Sequence, residues 1–100
     1  MIDARAARKE TQLHDKIEKC MVTIEDGIRD AIEAGLYECR VEVLGSEYTP
    51  TVINLVESTL RIRYGYDVVA QPSDEVYQRV EPSGRFQSYR NYFFDISWKG

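Results

Sequence analysis

Apolar residues recur every three or four positions through the first third of the chain. Leu13, Ile17, Met21, Ile24, Ile28 and Ile32 fall on one face of a 3.6-residue repeat, so residues 4–34 read as one long amphipathic helix. Asp3 stands at the N-cap position, and the pairs Asp15 with Lys19 and Glu25 with Arg29 place acid before base at i,i+4. Gly35 is placed to end the helix in a left-handed conformation, with Leu36 folding back on the last turn. Gly27 costs about 1 kcal/mol against alanine inside a helix, which points to close packing at that position. Ahead of Leu13 only Ala4, Ala6 and Ala7 are apolar, set among Arg5, Arg8 and Lys9. Residues 1–12 are therefore expected to project as a helical extension that cannot anchor itself to a core. Arg5, Arg8 and Lys9 are its candidate contacts with another molecule.

After Gly35 the period changes to two. Tyr37, Cys39, Val41 and Val43 alternate with Glu38, Arg40 and Glu42, the pattern of a half-buried strand over 37–44. Gly45, Ser46 and Glu47 make a turn, and Thr49-Pro50 has the form of an N-cap followed by proline at the first helical position. A second helix follows with Val52, Ile53, Val56 and Leu60 inward, ended by Gly65. Residues 66–70 read as a short strand, and residues 91–98 as another with Tyr92, Phe94, Ile96 and Trp98 on its inner face. Between them lies a long connection, around residues 71–88, broken by Pro72, Pro82 and Gly84, in which Glu75 to Val80 extends a hairpin arm turning at Ser83-Gly84.

The expected fold class is α+β: a long N-terminal helix, strand, helix and β-hairpin, with both helices on one face of a three-stranded sheet. Its last two strands pair antiparallel. The opposite face is then bare, with Tyr89 and Phe93 on it, which invites a cover.

Composition narrows the function classes. One hundred residues make a single domain, and a net charge of −4 argues against a general nucleic-acid binder, which needs a basic excess. No apolar run approaches the ~20 residues that span a bilayer, and the first twelve residues lack the apolar core of a secretory signal. A cytosolic location in the cell that makes the protein is expected. Cys20 and Cys39, too sparse for a disulfide framework, are expected as reduced core residues. His14, the one histidine, lies between Glu10 and Glu18 at i,i+4, which reads as a solvated stripe more readily than as a metal site. The chain has no phosphate-loop glycine pattern, nucleophile elbow or dinucleotide fingerprint. Neither a cofactor, a metal nor an enzymatic activity is expected.

The positive signal lies near the C-terminus. From Val76 to Phe94 three bases stand against one acid, and Arg79, Arg85 and Arg90 are interleaved with Tyr77, Phe86, Tyr89 and Tyr92. Arginine and the large aromatics combine stacking surface with directional donors, which is why binding hot spots favour them. The candidate binding set is Tyr77, Arg79, Arg85, Phe86, Tyr89 and Arg90. Three readings stay open at this point: a hairpin packed by its aromatics and solvated by its arginines, a surface for a protein partner, and a site for a small phosphorylated or nucleotide ligand.

The opening IDARAARKET, the I-x3-I-x3-I spacing that runs into AIEAG, GYDVV after the second helix and a terminal DISW resemble short tailed-bacteriophage proteins of unknown function. The shared closing pattern, GY-x-V…ISW, falls here on Gly65, Tyr66, Val68, Ile96, Ser97 and Trp98. The resemblance implies phage origin and a non-enzymatic role, and it carries no catalytic residues across. The insert around residues 71–88 departs from the compact hairpin of such proteins. The expectation is thus a phage-encoded interaction module that self-associates or docks on a larger assembly, in the host cytoplasm or the virion. The alternative is an early host-takeover or anti-defence factor that binds a nucleotide-like ligand or a host enzyme through the Arg/Tyr-rich loop.

Overall fold

The computed structural model describes residues 1–99, the side chain of Arg79 excepted. Its elements run α1 (Ala4–Glu33), β1 (Glu38–Val43), α2 (Pro50–Ile62), β2 (Asp67–Pro72), β3 (Tyr77–Val80), β4 (Phe86–Tyr89) and β5 (Tyr92–Ser97). Both helices begin at side-chain caps. Asp3 Oδ1 accepts from Ala6 N at 2.8 Å, and Thr49 Oγ1 accepts from Val52 N at 3.4 Å with Pro50 beginning the helix. Gly35, at φ 77°, takes the left-handed turn that lets Leu36 N–H reach the Ala31 carbonyl at 2.9 Å and end α1.

The inner stripe of α1 differs from its apolar pattern at one end. Cys20, Ile24, Ile28 and Ala31 are buried, whereas Ile32 is 57 % exposed. Each four-residue step advances about 40° past a full turn of helix. Two such steps after Ile24 carry Ile32 out of the core, and Ala31 takes its place. Gly27 does have a close neighbour: a β-carbon there would stand 2.6 Å from Val41 Cγ2, so the missing side chain lets α1 settle on β1.

The sheet order is β1-β5-β2, with β5 antiparallel to both neighbours. Phe94 on β5 faces Val41 on one side and Ala70 on the other and is wholly buried. Truncating such a ring costs roughly 3–5 kcal/mol. Around it pack Ile24 and Ile28 of α1, Val52, Ile53, Val56 and Leu60 of α2, and Val43, Val68 and Ile96 of the sheet. Trp98 is half-buried against this cluster, edge-on to Tyr66 at 6.1 Å. The described residues measure 19 Å in their thinnest direction, the depth of one helix layer on one sheet. Among them no helix is long and apolar enough to cross a membrane.

The sheet's other face is furnished as a water-facing surface. Glu38, Arg40 and Glu42 of β1 line up there with Phe93, Asp95 and Ser97 of β5 and with Asp67, Val69 and Gln71 of β2. Arg40 donates to both oxygens of Asp95 at 2.6 and 3.2 Å, Gln71 Nε2 donates to the same carboxylate, and the guanidinium lies 5.3 Å from the Phe93 ring centroid. Phe93 is on the face the sequence assigned to it. Tyr89 is not: it belongs to β4, off the main sheet, because the chain leaves that sheet before reaching it.

Candidate functional site

β2 and β5 part company at Pro72 and Tyr92, and their continuations β3 and β4 pair again as a separate two-stranded arm. Four residues, 73–76, connect the strands on one side, against two, 90–91, on the other. The surplus forbids a straight continuation of the ladder, as in a β-bulge, and the ribbon turns aside.

Two polar side chains are buried among the described residues, Ser73 and Asn91, and both sit at this joint. Ser73 N donates to the Asn91 carbonyl at 2.7 Å, and Ser73 Oγ donates to the Glu75 carbonyl at 3.0 Å. The Asn91 amide accepts from Gly45 N at 3.1 Å and donates to Glu42 Oε1 at 3.0 Å. One side chain therefore fastens the arm's base to the end of β1. Among the described residues no buried side-chain nitrogen or oxygen at the joint lacks a hydrogen-bond partner, as burial requires.

The arm closes in a turn where Gly84 N–H reaches the Glu81 carbonyl at 2.9 Å and Glu81 N–H reaches that of Arg85 at 2.8 Å. Tyr77 and Tyr89, directly paired, stack at 5.8 Å. The Tyr77 hydroxyl donates to Glu75 at 2.9 Å, and that carboxylate holds the phenol above its ordinary pKa of 10.0. Toward the tip Val80 pairs with Phe86, and these two are 62 % and 72 % exposed. Val76 at the base is also exposed. Two strands have no interior in which to bury such residues.

A cleft of about 670 Å³ opens between the arm's base and the start of α2. Tyr89, Arg90 and Val76 form one wall, Glu47, Tyr48 and Pro50 the other. Lys19 donates to Glu47 and holds its carboxyl below the ordinary range. The cleft thus offers one cation, Arg90, against a carboxylate already paired.

The sequence-derived set does not converge on one point. Tyr77 and Tyr89 meet, Tyr89 and Arg90 share the cleft, and Arg85 and Phe86 stand at the tip and do not line it. The Arg79 side chain lies outside the described part, although its backbone pairs with Gln87. Arg5, Arg8 and Lys9 are exposed on α1, well before Leu13, where packing on the core begins. Residues 4–12 span roughly 14 Å at 1.5 Å per residue.

Asn91, Gly45 and Val80 are not in the candidate binding set read from the sequence. Val80 carried a readable signal, an apolar residue beside the turn-forming Pro82-Ser83-Gly84; Asn91 carried none, since its side-chain partners are more than forty residues away.

Among the described residues no three histidine, cysteine or acidic side chains are grouped to hold a metal. Both thiols are free: Cys20 is buried, which pushes its pKa up to about 11, and Cys39 is half-buried and shifted the same way. Neither is poised as a nucleophile. No family model, no curated protein and no solved structure matches this chain.

Proposed function

We propose that this chain is a non-enzymatic protein-interaction module of a tailed bacteriophage, and that it docks on another protein chain through the arm β3–β4. The observation that carries the docking role is the exposed Val80–Phe86 pair at the end of an arm fastened to the body through Asn91. An isolated hairpin is marginally stable in water, and a partner that covers this pair supplies the missing interior. The Tyr77–Tyr89 stack keeps the strands in register, which lowers the ordering cost on contact. Phage origin, with a place in the host cytoplasm or the virion, rests on the resemblance of the IDARAARKET and GYDVV…DISW segments alone.

The ligand-capture alternative has less support. It calls on several arginines together, and only Arg90 of the described ones lines the cleft.

Replacing Phe86 with a photo-crosslinking phenylalanine analogue in phage-infected cells tests the docking role. A single adduct of defined mass is expected at position 86, lost when Val80→Ser is added, and absent when the analogue stands at exposed Val69. No adduct at 86, or the same adduct from both positions, refutes it.

A further inference from the structure

The two edges of the main sheet are treated differently. On β2, the outward groups belong to Val68 and Ala70, and α2 takes one from each: Glu57 accepts from Ala70 N at 2.9 Å and Arg61 donates to the Val68 carbonyl at 3.0 Å. Glu57 and Arg61 are joined at 2.7 Å, and Pro72 brings no N–H to the end of this edge. That edge is closed to another strand.

On β1 nothing comparable is found. Trp98 N–H donates to the Tyr37 carbonyl, which sets the ladder's parity: Cys39, Val41 and Val43 turn their backbone groups to β5, and Glu38, Arg40 and Glu42 turn theirs outward. Among the described residues no hydrogen bond reaches those outward N–H and C=O groups. An open edge of this kind is a template for strand addition.

We propose that the occupant of this edge is a second copy of the chain, joined antiparallel, β1 to β1, across a two-fold axis at Val41. The register follows from charge. Centring the pairing on Arg40 sets arginine against arginine and Glu38 against Glu42, which like-charge repulsion disfavours. Centring it on Val41 sets Arg40 opposite Glu42 of the other copy twice over, and Cys39 opposite Val43. Centring on Cys39 also matches charges but leaves less of β1 overlapped. Arg40 spends its Nε and one Nη on Asp95, and Glu42 one oxygen on Asn91, so each keeps a nitrogen or an oxygen for the partner. The two-fold axis stands perpendicular to the sheet, so three strands from each copy form one continuous sheet with all helices on one side.

This inference deepens the interaction reading by naming the chain's own copy as one partner, and it does not use the arm. Full-length protein is measured by native mass spectrometry and sedimentation across micromolar to millimolar concentration, with amide exchange followed alongside. A dimer is expected, with exchange at Arg40 and Glu42 slowing as concentration rises. Arg40→Glu, which places two acids against each other, weakens the dimer roughly tenfold or more. The double variant Arg40→Glu/Glu42→Arg restores it, although both variants lose the pair with Asp95. Val80→Ser/Phe86→Ser leaves the dimer intact. A monomer at every concentration overturns the proposal, and so does a dimer that the arm variant abolishes and Arg40→Glu spares; the latter result would leave the arm's docking role standing.

Discussion

The carbonyl of Arg90 lies where the first carbon of any side chain on Gly45 would stand. The turn after β1 and the corner before β5 thus meet backbone to backbone, with Asn91 bonding across the same contact. Gly45→Ala must push the two segments apart, at about 1–3 kcal/mol. Asn91→Ala strands the Gly45 amide and removes the bond to Glu42, at about 1–3 kcal/mol. Urea denaturation measures both. Because the two changes damage one junction, the double variant should lose less than the sum. Full additivity would mean that the segments are not coupled there.

Glu57 and Arg61 are expected to matter more for assembly than for stability. Replacing both by alanine frees the Val68 carbonyl and the Ala70 N–H. The exposed edge should let association continue past the dimer, visible as larger species in sedimentation velocity. Thermal stability should change by no more than about 1 kcal/mol, since the pair is partly exposed. Unchanged sedimentation would show that these side chains do not guard the edge.

Cys20 should make the fold sensitive to alkali. Burial raises its folded pKa from the ordinary 9.0 to about 11, so above pH 9 the unfolded chain releases this proton first. The stability it contributes is whole below 9 and is lost progressively up to about 11. Cys20→Ala should flatten that decline in a pH series of denaturation curves. At pH 8 a thiol reagent should label Cys39 well before Cys20; equal rates would show that Cys20 is not shielded.

Much of the local structure was legible because its causes are local. Asp3, Gly35 and Thr49-Pro50 mark helix ends through bonds that reach three to five residues, and the alternation from Cys39 to Val43 needs no distant partner. Alternation states which face a residue takes, and it is silent on which strand lies beside it. The insertion of β5 between β1 and β2 could therefore not be read. Tyr89 was misplaced for a related reason: two surplus residues opposite Arg90 and Asn91 turn the ribbon, and a surplus exists only once a register is known. The aromatic and arginine pattern did single out the arm. It could not separate a tip bearing Phe86 from a base bearing Arg90, because charge and aromaticity along a chain carry no direction in space.

The position of β5 also sets an order of events. It is the central strand, the neighbour of both β1 and β2, yet it follows them in the chain. As synthesis proceeds, β1 and β2 emerge with no strand to pair with, and their ladders wait for Tyr92 to Ser97. Until then the two helices can hold only a loose collapse around an absent Phe94. Closure of the sheet then joins residues as far apart as Glu38 and Ser97, with Val41 and Phe94 among them, and such non-local pairing makes for slow folding and leaves strand edges exposed on the nascent chain.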